Sequence, residues 1–344
     1  MFLRNCWYVA AWDHEVAGDF LTRRILGESI LFYRTSGRNV VALADRCCHR
    51  RAPLSLGRRE GDCVRCMYHG MKFDAQGFCV EIPGQDTIPR KARVHAYPVV
   101  ERHRWIWIWM GDPELADPAL IPDTHWVDAP EWKGTPPGYL HYQANYQLLS
   151  DNLLDFSHLA YVHLGTLGGS ESYAQLKPEI EVLERGLRIS RWLYDFAPPP
   201  FVAKLLPPGK VDRWNDYDYL IPGILIMSSG FAAAGSGARE GRREGAIEFR
   251  SCQAVTPETE TTSHYFFSQP RNFANHDPIT DRLLDQALRT AFHEDLTIIE
   301  AQQERWSERD DDEMVLITAD AALVQYRRIF DRLLAGEQRA TAQA

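Results

Sequence analysis

The sequence predicts an α+β chain in two parts. A small all-β domain spans residues 1–112, a connector covers 113–137, and a larger domain of mixed strands and helices fills 138–344. Three observations carry this reading. Short strand-like runs broken by turn residues fill the first 110 positions. A proline-rich stretch from Pro113 to Pro137 then breaks the pattern. Beyond it, runs at helical spacing accompany strand-like ones.

In the first domain, Ser29–Tyr33, Val40–Ala44 and Trp105–Trp109 read as strands, punctuated by Gly27, Gly37, Gly57, Gly61, Gly77 and Gly84. In the second, Leu140 to His158 places Leu148, Leu149, Leu153 and Phe156 at helical spacing, so a helix is expected there. Strands are expected at Leu187–Leu193, Gly223–Ser228, Ala246–Arg250 and His264–Ser268. The segments between them read as loops, most plainly Ala197–Pro200 and Ala232–Gly245. Asp277 before Pro278 reads as the cap and first turn of a long helix whose apolar face runs Leu283, Leu284, Ala287, Leu288, Ala291, Phe292, Ile298 and Ile299. A last helix is expected over Ala319–Leu334, with a frayed end from Gly336.

Composition narrows the class. The net charge of −9, from 38 basic and 47 acidic residues, argues against a nucleic-acid partner. No apolar run is long enough to span a membrane, and the start lacks a signal-peptide pattern, so a cytoplasmic location is expected. Seven cysteines is an odd number, and that does not suit a disulfide framework.

Two ligand pairs dominate the first domain: Cys47-x-His49 and Cys66-x-x-His69. Two thiolates and two imidazoles in this order suit a 2Fe–2S cluster in which cysteine holds one iron and histidine the other. A zinc site built from Cys47, Cys48, Cys63 and Cys66 is the alternative. Each half, however, offers one Cys followed by one His, which leaves Cys48 and Cys63 as bystanders.

A second group lies in Asp151–His163. On an unbroken helix, His158 and His163 would splay by roughly 140°. For both to reach one ion, the helix must end or distort between them. A carboxylate would complete a two-His, one-acid arrangement that leaves positions open on ferrous iron. Asp295, among the apolar residues of the long helix, is the best candidate, with Glu294 as the fallback. Asp155, three residues before His158, could accept its second imidazole N–H.

These stretches together resemble the Rieske non-haem iron oxygenases. The first signature is Cys47-Cys48-His49-Arg50-Arg51-Ala52-Pro53-Leu54 with Cys66-Met67-Tyr68-His69-Gly70. The second is Asp151-Asn152-Leu153-Leu154-Asp155-Phe156-Ser157-His158 through His163. Asn5–Trp12, Tyr97–Arg102, Trp105–Pro113 and Thr256–Thr261 extend the likeness across the chain. They are most similar to the oxygenase components of vanillate O-demethylase, dicamba O-demethylase and toluenesulfonate methyl-monooxygenase.

The resemblance implies an N-terminal Rieske domain followed by a helix-grip domain, an antiparallel sheet gripped by helices. It implies a 2Fe–2S cluster on Cys47, His49, Cys66 and His69, and ferrous iron on His158, His163 and Asp295 with Asn152 nearby. It makes Asp155 a bridge between His69 of one protomer and His158 of the next in a homotrimer. Electrons would come from NAD(P)H only indirectly, through a flavin and 2Fe–2S reductase, with or without a separate ferredoxin. The implied reaction uses O₂ to O-demethylate or methyl-hydroxylate a small aromatic acid. Oxidation of a different aromatic or heterocycle, ring dihydroxylation included, is the alternative.

Overall fold

The computed structural model describes residues 1–344 apart from 164–165, 167–174, 199–204, 307, 309–313 and 344. Pro199, Pro200 and Phe201 therefore lie outside the described residues. The chain divides into two compact units, Met1–Asp123 with Thr256–Glu260, and Thr124–Val255 with Thr261–Ala344. The proline-rich connector is thus shared, 113–123 packing with the first unit and 124–137 with the second.

The first unit is built from three small antiparallel sheets. Its strands are β1 (Trp7–Trp12), β2 (Leu21–Ile25), β3 (Glu28–Arg34), β4 (Val40–Ala44), β5 (Arg58–Glu60), β6 (Cys63–Arg65), β7 (Lys72–Phe73), β8 (Cys79–Glu81), β9 (Ala96–Tyr97), β10 (Val99–Arg102) and β11 (Trp105–Trp109). The sheets run β1-β11-β10, β2-β3-β4-β9 and β5-β6-β7-β8. Strands β1 and β11 are buried on both faces, which explains their unbroken apolar sequence. Their indoles meet edge to face, Trp7 on Trp109 at 5.5 Å and Trp12 on Trp105 at 5.4 Å. The segment Thr256–Glu260 joins this unit through Thr256 Oγ1 on the Val9 carbonyl and Leu26 N–H on the Pro257 carbonyl.

The second unit is a seven-stranded sheet in the order β12-β18-β17-β16-β15-β14-β13. Its strands are β12 (Gly138–Tyr142), β13 (Glu179–Leu183), β14 (Gly186–Phe196), β15 (Val211–Leu220), β16 (Ile224–Ala233), β17 (Ile247–Pro257) and β18 (Ser263–Ser268). Three helices, α1 (Tyr146–Leu154), α2 (Pro278–Trp306) and α3 (Ala321–Gln343), cover one face. Tyrosines from that face reach all three. Tyr219 donates to Ser150 Oγ on α1, Tyr142 donates to the Phe292 carbonyl on α2, and Tyr219 meets Tyr326 of α3 edge-on at 4.9 Å. This is the helix-grip arrangement. No described helix is long and apolar enough to cross a membrane.

Three expectations need correction. The helix expected from Leu140 starts only at Tyr146, because Gly138–Tyr142 pairs with β18 and Asn145 caps α1 through Gln147 N–H. Val211–Leu220, read as a loop, is a central strand. Its charged residues are paired instead of solvated: Asp218 with Arg188, and Asp216 with Ser190 and Arg243. Glu179–Leu183, which lies outside the runs expected as strands, is an edge strand as well. Finally, α3 does not fray at Gly336 but continues to Gln343 through the helix-forming residues Glu337, Gln338, Arg339 and Ala340. The cap expected at Asp277 is present, its carboxylate accepting from Ile279 N–H at 3.0 Å and from Thr280 Oγ1 at 2.6 Å.

Candidate metal centres

In the first unit, two loops present the paired cysteines and histidines, one between β4 and β5 and one between β6 and β7. They are built alike. Cys47 N–H donates to the Ala52 carbonyl and Arg51 N–H donates back to Cys47. Cys66 N–H donates to Met71 and Gly70 N–H donates back to Cys66. The fifth position of each turn is left-handed, with φ of 60° at Arg51 and 75° at Gly70. Gly70 is needed for space as well, since a Cβ there would sit 2.7 Å from Pro83 Cγ.

The turns bury the two sulfurs and leave the two imidazoles at the surface. The His49 and His69 rings lie 4.5 Å apart between centroids. Burial pushes the Cys47 thiol up to about 11, and the adjacent Cys66 adds to the effect. A metal must therefore displace a proton to bind there.

Among the described residues, the one group of three or more Cys, His, Asp or Glu whose ligand atoms all lie within 4.8 Å is His158, His163 and Asp295. The Cys47, His49, Cys66 and His69 donors are thus too dispersed for a single tetrahedral zinc, whose ligand atoms would crowd within about 4 Å. A thiol pair on one side and an imidazole pair on the other fit a two-iron cluster.

The second centre begins where α1 stops. Asp155 takes an extended conformation, with φ −122° and ψ 102°, and its carboxylate accepts from Ser157 N–H and Oγ–H at 2.8 and 2.6 Å. That caps a single 3₁₀ turn, Phe156–Ala160, carrying His158. The helix therefore ends before the first histidine, as a five-residue spacing requires. His158 Nδ1 lies 2.5 Å from the Asp155 carbonyl, so the main chain of Asp155, not its carboxylate, orients this imidazole.

His163 is fully buried, with Nδ1 2.7 Å from Glu294 Oε2. Glu294 also accepts from Thr166 Oγ1, which makes it a support for His163 rather than a member of the trio. With both Nδ1 atoms bonded to acceptors, both Nε2 lone pairs face inward. They converge on one oxygen of Asp295, from 3.5 Å for His158 and 3.1 Å for His163. Asn152 Nδ2 donates to the same oxygen at 3.0 Å.

His163 Nε2 is buried and makes no hydrogen bond despite this proximity. Such an orphaned atom, aimed at a carboxylate beside a second free Nε2, fits an ion among the three. Bond lengths of about 2.0–2.2 Å at right angles place donor atoms roughly 3 Å apart. Burial also holds His158 below its usual pKa and favours the neutral, metal-binding form. At His163 burial pushes the same way, but Asp295 and Glu294 outweigh it.

Three further participants meet partners distant in sequence. Arg191 on β14 brings Nη2 to 3.6 Å from Asp155 Oδ1, and Tyr217 on β15 donates to the Leu154 carbonyl. Thr166 is the third. The aromatics around the sheet are core: Trp214, Tyr217, Tyr219, Phe231, Phe249, Phe266 and Phe267 are all buried. Arg250 is held by Glu248 at 2.6 Å and lies over the Trp126 and Trp132 rings.

A Rieske [2Fe-2S] domain profile matches residues 6–98, and a vanillate O-demethylase oxygenase C-terminal domain profile matches 142–336. The chain is 52% identical to the toluene-4-sulfonate monooxygenase system iron-sulfur subunit of Comamonas testosteroni, across 99% of this chain and 100% of that one. It is 35% identical to a vanillate O-demethylase oxygenase subunit of Pseudomonas sp. (strain HR199 / DSM 7063), across 100% and 98%. The crystal structure of dicamba monooxygenase with non-heme iron and dicamba superposes with a TM-score of 0.82 at 33% identity, covering 100% of this chain and 99% of that one.

Proposed function

Because the chain belongs to the Rieske oxygenases that carry a vanillate O-demethylase-type C-terminal domain, we propose that it hydroxylates the methyl group of a small aromatic acid, a methyl-arene sulfonate in the first instance. It is an oxygenase component, with a 2Fe–2S cluster and a mononuclear non-haem iron. When bound, these groups supply single electrons and the activation of dioxygen.

The site assignments are part of the proposal. Cys47 and Cys66 hold one cluster iron, His49 and His69 the other, and His158, His163 and Asp295 hold the mononuclear iron. The observation that carries this reading is the buried His163 Nε2, left without a hydrogen bond and facing Asp295 beside His158. Asn152 steadies the Asp295 oxygen, and the Asp155 carbonyl and Glu294 fix the two imidazole tautomers. The Asp155 carboxylate, about one-fifth exposed, remains reachable by a second protomer, as an electron bridge within a homotrimer requires.

For the substrate, the support is the higher identity to the sulfonate enzyme, 52% against 35% for the vanillate enzyme. O-demethylation of a methoxybenzoate is the neighbouring possibility within the same chemistry. The electron donor is a flavin and 2Fe–2S reductase drawing on NAD(P)H. All seven cysteines are free, in keeping with a reducing cytoplasm.

The test is NADH-dependent oxygen uptake by the iron-loaded protein with a reductase, on toluene-4-sulfonate and on vanillate. A hydroxymethyl product marks methyl hydroxylation and released formaldehyde marks O-demethylation. Uptake with neither product from any methyl- or methoxy-substituted acid would sink the proposal.

A further inference from the structure

Arg191 is a cation buried to 3% exposure on the helix-facing side of β14. A charge so placed needs an anion, and its acidic partner among the described residues is Asp155, with Nη2 3.6 Å from Oδ1. The other contacts of the guanidinium fall on the same short stretch of chain. Nη1 donates to Tyr217 OH at 3.5 Å, and that hydroxyl donates in turn to the Leu154 carbonyl at 3.2 Å. The guanidinium carbon lies 6.0 Å from the Phe156 ring centroid, and Phe156 stacks on Tyr217 at 4.6 Å.

Directly, or for Leu154 through Tyr217, one side chain therefore bears on three consecutive residues, Leu154, Asp155 and Phe156. They form the break between α1 and the 3₁₀ turn, and the Asp155 carbonyl inside it is the acceptor that orients His158 Nδ1.

We propose that Arg191 is a positioning residue for the mononuclear iron site: by pairing with Asp155 and bracing the turn, it sets the imidazole angle of His158. The inference rests on reading His158, His163 and Asp295 as that site. The contacts of Arg191 fall on Asp155, Tyr217 and Phe156 and on none of the three ligand side chains. The pairing is a single long contact rather than a two-pronged one, so it is the positive charge that counts. Lysine can supply that charge, though it could not reproduce a two-pronged guanidinium contact.

The experiment is calorimetric titration of Co(II) into full-length protein whose mononuclear iron has been removed by a chelator while the cluster colour is retained. Four proteins are compared: wild type, Arg191→Met, Arg191→Lys and His158→Ala. Methionine keeps the apolar volume, and the Asp155 carboxylate stays partly solvated, so the fold should hold with unchanged cluster absorbance. Removing support from a metal-bound histidine loosens binding by about 10–100-fold, and that is the loss expected for Arg191→Met. Arg191→Lys should recover most of it.

Binding by Arg191→Met equal to wild type would overturn the inference, as would a lysine variant as weak as the methionine one. If Arg191→Met loses the cluster colour, Tyr217→Phe carries the test. It cuts the link to Leu154 alone, and it should weaken Co(II) measurably; unchanged affinity would overturn the inference equally. The underlying site reading fails separately, and visibly, if His158→Ala binds Co(II) as wild type does.

Discussion

Glu294 Oε2 stands 2.7 Å from Nδ1 of the fully buried His163, and it takes a second hydrogen bond from Thr166. A carboxylate on the far side of an imidazole fixes the tautomer and raises the basicity of the nitrogen that faces the metal. Adjacent acids on α2 thus do different work. Asp295 offers an oxygen to the ion, and Glu294 prepares the histidine opposite.

Replacing Glu294 should therefore weaken iron binding without abolishing it. Glu294→Gln keeps an acceptor and should cost about tenfold in Fe(II) affinity, while Glu294→Ala should approach a hundredfold. Iron content after dialysis against graded Fe(II) measures this. An alanine variant that holds iron like wild type would remove Glu294 from the site.

His158→Ala and Asp155→Asn should separate the two jobs of their shared turn. The first should lose the mononuclear iron and keep the cluster. The second preserves the cap on Ser157 N–H but removes the charge, so at saturating iron it should hold both centres and turn over at least about 100-fold more slowly. Iron-to-protein ratios and oxygen uptake read both. Normal turnover in Asp155→Asn would end the idea of an electron bridge there.

At the first centre, Cys47→Ser and Cys66→Ser should give protein without cluster absorbance or its reduced-state EPR signal. Cys48→Ala and Cys63→Ala should keep both, because their thiols are not part of the paired turns. A colourless wild-type protein containing zinc would contradict the entire assignment.

Burial pushes the Asp151 carboxyl up to about 6, although Arg327 pairs with it. The folded state therefore holds this proton more tightly than the unfolded chain, whose aspartate titrates near its ordinary value. The resulting stability is fully present below about pH 4 and is lost as pH rises toward about 6. Asp151→Asn lacks this dependence. Its stability relative to wild type, from denaturant melts, should become more favourable between pH 4 and pH 6. A difference that stays flat across that window would show that Asp151 is not perturbed.

Gly230 of β16 has the Trp214 ring and the Ile247 carbonyl over it, and a Cβ would meet each at 2.4 Å. Overpacking of this kind costs roughly 1–3 kcal/mol, so Gly230→Ala should lower the melting temperature by several degrees. Melting unchanged from wild type would mean that the sheet yields there.

The sequence by itself determined the chemistry of this protein. Cys47, His49, Cys66 and His69 stand close together along the chain, and a tight loop needs only local spacing to present them. Val40–Ala44 before the first of those loops, the cap at Asp277 and the need for the helix to stop near His158 and His163 were legible for the same reason, since each depends on near neighbours. Asp295 could be nominated too, as an acid in an apolar helix face.

Tertiary structure decided what depends on residues far apart in sequence. Val211–Leu220 looks like a solvated loop until Arg188, Ser190 and Arg243 neutralise its acids across the sheet. The choice of Asp295 over its neighbour Glu294 is settled by the rotation of α2, which turns one toward the two Nε2 atoms and the other toward Nδ1 of His163. Nothing in the order of residues couples Arg191 to Asp155. Only the packing of β14 beneath the end of α1 brings that charge to the turn that aims His158.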